Sequence, residues 1–138
     1  MSTIHVDVVS ATESLYSGEA NCVFAPGSTG ELGIYPKHVA LLSTLKPGEV
    51  RVETEKGVES IYVSGGIVEV QPDVVTIFSD TAIRAHDLDE SKALEAKQRA
   101  EEAMANSDNG HDVGTTQAAL AEAMAQLQMI SKMRGKKL

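Results

Sequence analysis

Hydrophobic residues recur at every second position as far as Ile83 and at every third or fourth position beyond Asp87. One kind of secondary structure cannot serve both periods, so the chain must divide into a strand-forming half and a helix-forming half. In the first half Ile4, Val6 and Val8 alternate with His5 and Asp7, Val50 and Val52 with Arg51 and Glu53, and Val68 and Val70 with Glu69 and Gln71. Each alternation puts apolar side chains on one face of a strand and polar ones on the other. Turn chemistry separates the strands. Lys46-Pro47-Gly48-Glu49 suits a type II turn, with proline presetting one dihedral and Gly48 taking the positive φ, while Glu55-Lys56-Gly57 and Gln71-Pro72-Asp73 read as hairpin connections. Residues 1–84 are therefore expected to form an antiparallel β-sandwich with its own core.

Residues 85–138 are rich in Ala, Glu, Lys, Gln and Met, and the last proline of the chain is Pro72. These are good helix formers. Asp87 as N-cap with Glu90 three residues later predicts a first helix running to about Asn106. The polar, glycine-containing stretch Ser107 to Gly114 then connects to a second helix from about Thr116 to Met133. The expected architecture is α+β, a β-sandwich followed by a two-helix antiparallel hairpin. Ala93, Ala96, Ala100 and Ala103 form one seam and Leu120, Ala123, Leu127 and Ile130 the other. A methyl-sized group contributes about 0.8 kcal/mol on burial, so a seam this rich in alanine docks weakly. The helices themselves are favoured, with Glu95 and Arg99 paired four residues apart, and can undock without melting.

Composition narrows the function. The formal net charge of -8 and an aromatic content of 4% argue against nucleic acid as a partner, because the phosphate backbone would be repelled and few rings are present to stack on bases. A single cysteine, Cys22, makes no internal disulfide and points to a reducing compartment. The start of the chain has no basic segment followed by an apolar run, and no stretch is apolar for long enough to span a bilayer, so a soluble, cytosolic chain is expected.

The segment from Gly30 to Val50 superficially suggests a phosphate loop. Gly27, Gly30 and Gly33 are spaced by three, no Gly-Lys-Ser/Thr follows, and no helix can begin before Pro36, so these glycines are read as loop conformations. His5, His38, His86 and His111 are scattered without metal-ligand spacing. Ser64-Gly65-Gly66 lacks the nucleophile-elbow pattern and reads as a hairpin turn. No catalytic constellation emerges, and no metal or cofactor is expected. The end of the chain has no acidic residue beyond Ala123, whereas Lys132, Arg134, Lys136 and Lys137 are basic. They complement the carbonyl end of a helix, or meet an acidic surface on a partner.

Three stretches carry a resemblance. Gly30-Glu31-Leu32-Gly33-Ile34-Tyr35-Pro36 followed by His38, then Ser64-Gly65-Gly66-Ile67-Val68-Glu69-Val70, then Asp80-Thr81-Ala82-Ile83-Arg84, resemble in order the hallmark stretches of the epsilon subunit of bacterial rotary ATP synthases, most closely the proteobacterial type. The resemblance covers essentially the whole chain. It implies a non-catalytic rotor subunit of the central stalk, peripheral on the cytoplasmic face of the inner membrane and associated with the membrane only through the complex. The sandwich, 1–84, is the rotor-docking domain, and the hairpin, 85–138, is the regulatory domain that inhibits ATP hydrolysis. Expected partners are the gamma shaft subunit, the c-subunit ring, and the alpha and beta subunits of the catalytic head.

By this resemblance the loop from Gly27 to Gly33 meets the ring, with Glu31 as a polar contact. His38, Val39, Ala40, Leu41 and Leu42 contribute to rotor contacts, and Lys132, Arg134, Lys136 and Lys137 to the inhibitory contact. Some family members bind ATP through an Ile/Leu-Asp-x-x-Arg-Ala motif at the start of the first helix. Leu88-Asp89-Glu90-Ser91-Lys92-Ala93 matches with Lys92 in place of arginine, and Arg99 matches a supporting position. Glu122 and Gln126 stand where tighter binders carry arginine, so Asp89, Lys92 and Arg99 imply weak ATP binding. The competing reading is a free-standing ligand-binding β-sandwich with a dimerising hairpin. It calls for an apolar pocket and a homodimer, where the rotor reading calls for an isolated monomer.

Overall fold

The computed structural model describes residues 2–105 and 113–135. The chain divides into two compact units, one ending at His86 and the other beginning at Asp87.

The first unit holds strands β1 (Ile4–Val9), β2 (Ser14–Ala20), β3 (Cys22–Gly27), β4 (Gly30–Ile34), β5 (Leu41–Leu45), β6 (Gly48–Thr54), β7 (Gly57–Val63), β8 (Gly66–Val70), β9 (Val74–Phe78) and β10 (Ala82–Arg84). They hydrogen-bond in the order β10-β7-β6-β3-β5-β8-β9-β1-β2, with β4 on β3. β3 and β5 meet at the single pair Gly27 and Leu45, the narrowest pairing along this order. Between the layers of the sandwich lie the side chains that the sequence places in phase, among them Ile4, Val6, Val8, Val50, Val52, Val68 and Val70, all buried. Each such valine or isoleucine contributes on the order of 1.5–3 kcal/mol. Arg84, on one end strand, donates from Nη2 to the Leu15 carbonyl of the other end strand at 3.1 Å, tying together the two ends of the rolled sheet.

The sandwich is as the alternation predicts, and its connections add detail. β1 pairs antiparallel with β2 but parallel with β9. Strands so distant in the chain are not bound by a hairpin turn to run antiparallel. Glu55-Lys56 and Pro72-Asp73 do close hairpins, β6 to β7 and β8 to β9. Two other expected turns differ. Lys46 to Glu49 leads from β5 to β6, which do not pair with each other. Gly48 does not carry a positive φ there. A Cβ on Gly48 would lie 2.9 Å from Cβ of Pro26, so close packing is what requires glycine. Ser64 to Gly66 is likewise no hairpin, since β7 pairs with β6 and β10 while β8 pairs with β5 and β9. The chain crosses here between distant strands through Gly65 and Gly66, with φ of +114° and +133°, and Gly66 lies against the Phe78 carbonyl where no Cβ fits. Ser64 fastens the crossing: its N–H donates to Ser79 Oγ at 3.2 Å, and its Oγ accepts from the Thr81 N–H at 3.1 Å.

In the second unit α1 (Glu90–Ala105) and α2 (Val113–Gly135) pack against each other. The cap lies two residues later than Asp87. Asp89 Oδ1 accepts from the backbone N–H groups of Ser91 and Lys92 at 2.9 and 3.3 Å, because Ala85 to Asp87 is already used in a 3-10 turn. α2 begins three residues earlier than expected and takes in Gly114, which a first turn tolerates because its N–H groups have no intrahelical partners. The rest of the expected connection, up to residue 112, lies outside the described residues. Ala93 and Ala100 are buried, but Ala96 is exposed and Lys97 is half-buried in its place. Ala103 is half-buried as expected, together with Met104, so the seam holds except at 96, where the stripe takes in Lys97 because 3.6 residues per turn allows either choice between i+3 and i+4. On α2 Ala123 and Ile130 are buried and Leu120 and Leu127 half-buried, as expected, with Thr116 and Met129 added.

Candidate functional site

Gly27 to Gly33 forms a tight hairpin between β3 and β4, in which Gly27 lies opposite Gly30. Of its three glycines only Gly30 has a positive φ, +148°. A Cβ on Gly27 would come 2.6 Å from the Gly30 carbonyl oxygen, and one on Gly33 would come 3.1 Å from Cε1 of Phe24. Two of the three therefore serve close packing, correcting the expectation that all are loop conformations. The turn is pinned to β5, since Ser28 Oγ and Thr44 Oγ1 lie 2.6 Å apart and the Ser28 N–H donates to the Thr44 carbonyl at 3.1 Å.

Glu31 lies on the polar face of β4 with its side chain 53% exposed, and its Oε2 accepts from Arg51 Nη1 at 3.3 Å. The segment from His38 to Leu42 leads into β5. Lys37 before it takes a left-handed φ of 67°, and its N–H donates to the Pro72 carbonyl at 2.9 Å. His38 Nδ1–H donates to the Val39 carbonyl at 2.7 Å. Val39 is 74% and Leu42 69% exposed, and Ala40 is exposed, whereas His38 and Leu41 are half-buried. A shallow groove of about 320 Å³ runs past Ala40, Leu41 and Leu42 to Glu69 and Gln71. The structure does not join Glu31 to this segment by a ladder: Glu31 faces Pro26, and Leu42 faces Glu69.

Among the exposed apolar residues beyond those foreseen, Ile67 and Phe78 lie opposite each other on β8 and β9, with Val9 beside Phe78 around a cavity of about 310 Å³. The signal for them was present: each is apolar at a position where its strand's alternation calls for a polar residue. A larger cleft, about 420 Å³, lies among mostly polar or charged residues including Thr3, Tyr16, Glu19, Lys56 and Glu59.

Asp89, Lys92 and Arg99 all lie on α1. Asp89 caps the helix, Lys92 is exposed, and exposed Arg99 lies 3.9 Å from Glu95. Lys132 is exposed on α2 and Arg134 falls in its last turn, while Lys136 and Lys137 lie outside the described residues. Burial pushes the Cys22 thiol up from its ordinary pKa, which keeps it protonated and unreactive. Among the described residues no group of His, Cys, Asp and Glu has metal-site geometry, and no helix is long and apolar enough to cross a membrane.

Residues 3–85 match the family described as ATP synthase, Delta/Epsilon chain, beta-sandwich domain, and residues 86–131 match its long alpha-helix domain. The chain is similar to proteins named ATP synthase epsilon chain. It is 82% identical over 137 residues to that of Vesicomyosocius okutanii, covering 99% of each chain, and 79% identical over 138 residues to that of Ruthia magnifica, covering 100% of each. The identity with that of Alkalilimnicola ehrlichii is 58% over 135 residues, 97% of this chain and 96% of the relative. Its fold is that of a chain in the Euglena gracilis mitochondrial ATP synthase, with a TM-score of 0.79 at 22% identity over 93% of this chain and 81% of that one. With both units matched in order and relatives similar from end to end, the chain belongs to the ATP synthase delta/epsilon family.

Proposed function

We propose that the chain is a non-catalytic rotor subunit in the central stalk of a proton-translocating ATP synthase, which couples ring rotation to ATP synthesis and restrains ATP hydrolysis through its two helices. The observation that carries this is the identity of 82% and 79% with proteins named ATP synthase epsilon chain, extending over both units. In this reading the sandwich docks to the gamma shaft and c-subunit ring through Glu31 and the segment from His38 to Leu42. Exposed Val39 and Leu42 beside half-buried Leu41 support it, as an apolar patch with a polar rim suits docking. Lys132 and Arg134 of α2, with Lys136 and Lys137 that follow in the sequence, meet acidic surface on the alpha and beta subunits. The chain is then peripheral on the cytoplasmic face of the inner membrane, held there by the complex, and monomeric when isolated.

ATP binding at Asp89, Lys92 and Arg99 is weak in this reading. Asp89 already serves two backbone N–H groups, and a nucleotide drawing it away would sacrifice a cap of about 1 kcal/mol.

The test compares ATP hydrolysis per assembled complex for the full chain, a chain ended after His86 and a chain lacking only Lys132 to Leu138, at matched subunit content. The first truncation is expected to assemble and hydrolyse ATP faster, and the second to give part of that gain. Equal rates with assembly intact would show that the helices are not a brake.

A further inference from the structure

Arg51, on β6, does not face Glu31 directly. Phe24 on β3 stands between them, opposite Gly33 of β4 on one side and opposite Arg51 on the other. The guanidinium carbon of Arg51 lies 4.7 Å from the centroid of the Phe24 ring, so the side chain crosses over that ring to reach Glu31 Oε2 at 3.3 Å. The ring is itself fixed. Tyr35 meets it edge-on, with centroids 6.2 Å apart and planes at 86°, and the missing side chain at Gly33 gives it room to lie over β4.

An exposed ion pair ordinarily contributes little, because two long side chains must be immobilised to form it. Here the planar guanidinium is held against an aromatic face, and at 24% exposure Arg51 is ordered as part of the folded sheet. Glu31, at 53% exposure, is thereby held through Oε2, while Oε1 can accept from a second donor.

We infer that Arg51, stacked on Phe24, is a positioning residue that presents the Glu31 carboxylate in one orientation to a partner loop carrying hydrogen-bond donors, whether backbone N–H, amide, hydroxyl or cationic groups. This rests on the reading of Glu31 as a docking residue. Its consequence is that the ordering of Glu31 occurs on folding and not on assembly, which tightens docking without a direct contact from Arg51.

The test is rebinding of the purified full chain to the ATP synthase complex stripped of it, with variants E31A, R51A, R51K, F24L, E31A/R51A and E31A/F24L, and a thermal melt of each. E31A and R51A are expected to weaken rebinding by about threefold to tenfold, the range for ordering one side chain. The double variant should be no weaker than the worse single one. R51K should resemble R51A, because an ammonium keeps the charge but neither stacks flat nor forks. F24L removes the ring and leaves both charges, so it supplies the second route if R51A melts early: it should weaken rebinding only while Glu31 is present. Unchanged rebinding in E31A overturns the docking role of Glu31. Weakened rebinding in E31A with full strength, or simple additivity, in R51A and F24L overturns the positioning role of Arg51 and leaves that of Glu31 standing.

Discussion

His5 lies between two carboxylates on the outer face of the β1–β2 ladder, with Nδ1 3.0 Å from Glu19 Oε2 and Nε2 3.3 Å from Asp7 Oδ1. The hydrogen bond to Glu19 raises its pKa above the usual 6.5, against a smaller opposing effect of burial. Glu19 is held below 4.5 by the Thr3 hydroxyl and then by His5. A raised histidine contributes stability that is complete below 6.5 and lost as pH rises through the raised value, whereas a lowered carboxylate contributes above 4.5 and loses it as pH falls. The pair therefore stabilises β1 on β2 above the ordinary glutamate range and up to the raised pKa of His5. An NMR titration of the His5 ring should show a midpoint above 6.5 in the folded chain that falls in Glu19→Gln. A midpoint at or below 6.5 in the parent would contradict the pairing.

Among the elements, α1 shows how a sequence signal is read differently once its neighbours are placed. Asp87 and Asp89 both suit an N-cap, and the 3-10 turn over Ala85 to Asp87 leaves the task to Asp89. Asp89→Ala should destabilise the start of α1 by about 1 kcal/mol, seen as faster amide exchange at Ser91 and Lys92. Asp87→Ala should leave those two amides unchanged. The opposite pattern would return the cap to Asp87. The same helix explains the one departure in the alanine seam: Ala96 and Lys97 both follow Ala93 at a spacing that lies on one face, and the fit between the helices selects between them.

At the scale of the molecule, the sandwich core runs from Ile4 to Ala82 and its closing bond from Arg84 to Leu15, so every member falls before the division at His86. A chain ended at His86 should therefore unfold in one cooperative step in urea, with a β-type circular dichroism spectrum and no concentration dependence. A broad, non-cooperative transition would show that the core needs the helices.

Period and composition by themselves determined that strands occupy the first half and helices the second, and which strand residues face inward, because alternation and helical repeat are local records of burial. Hallmark stretches in order identified the family, and they did so without any chemical motif. What only the tertiary structure decided is which strands are neighbours. Ser64 to Gly66 reads locally like a hairpin and is a crossing, and β1 joins β9 in parallel, because pairing depends on contacts between residues far apart in the chain. A glycine records only that a side chain is absent. It took the fold to show that Gly30 needs a positive φ, while Gly33 makes room for the Phe24 ring and Gly48 for Pro26. The line from Phe24 through Arg51 to Glu31 was illegible for the same reason: its members lie on three strands, up to 27 residues apart, and only the register of β4, β3 and β6 brings them together.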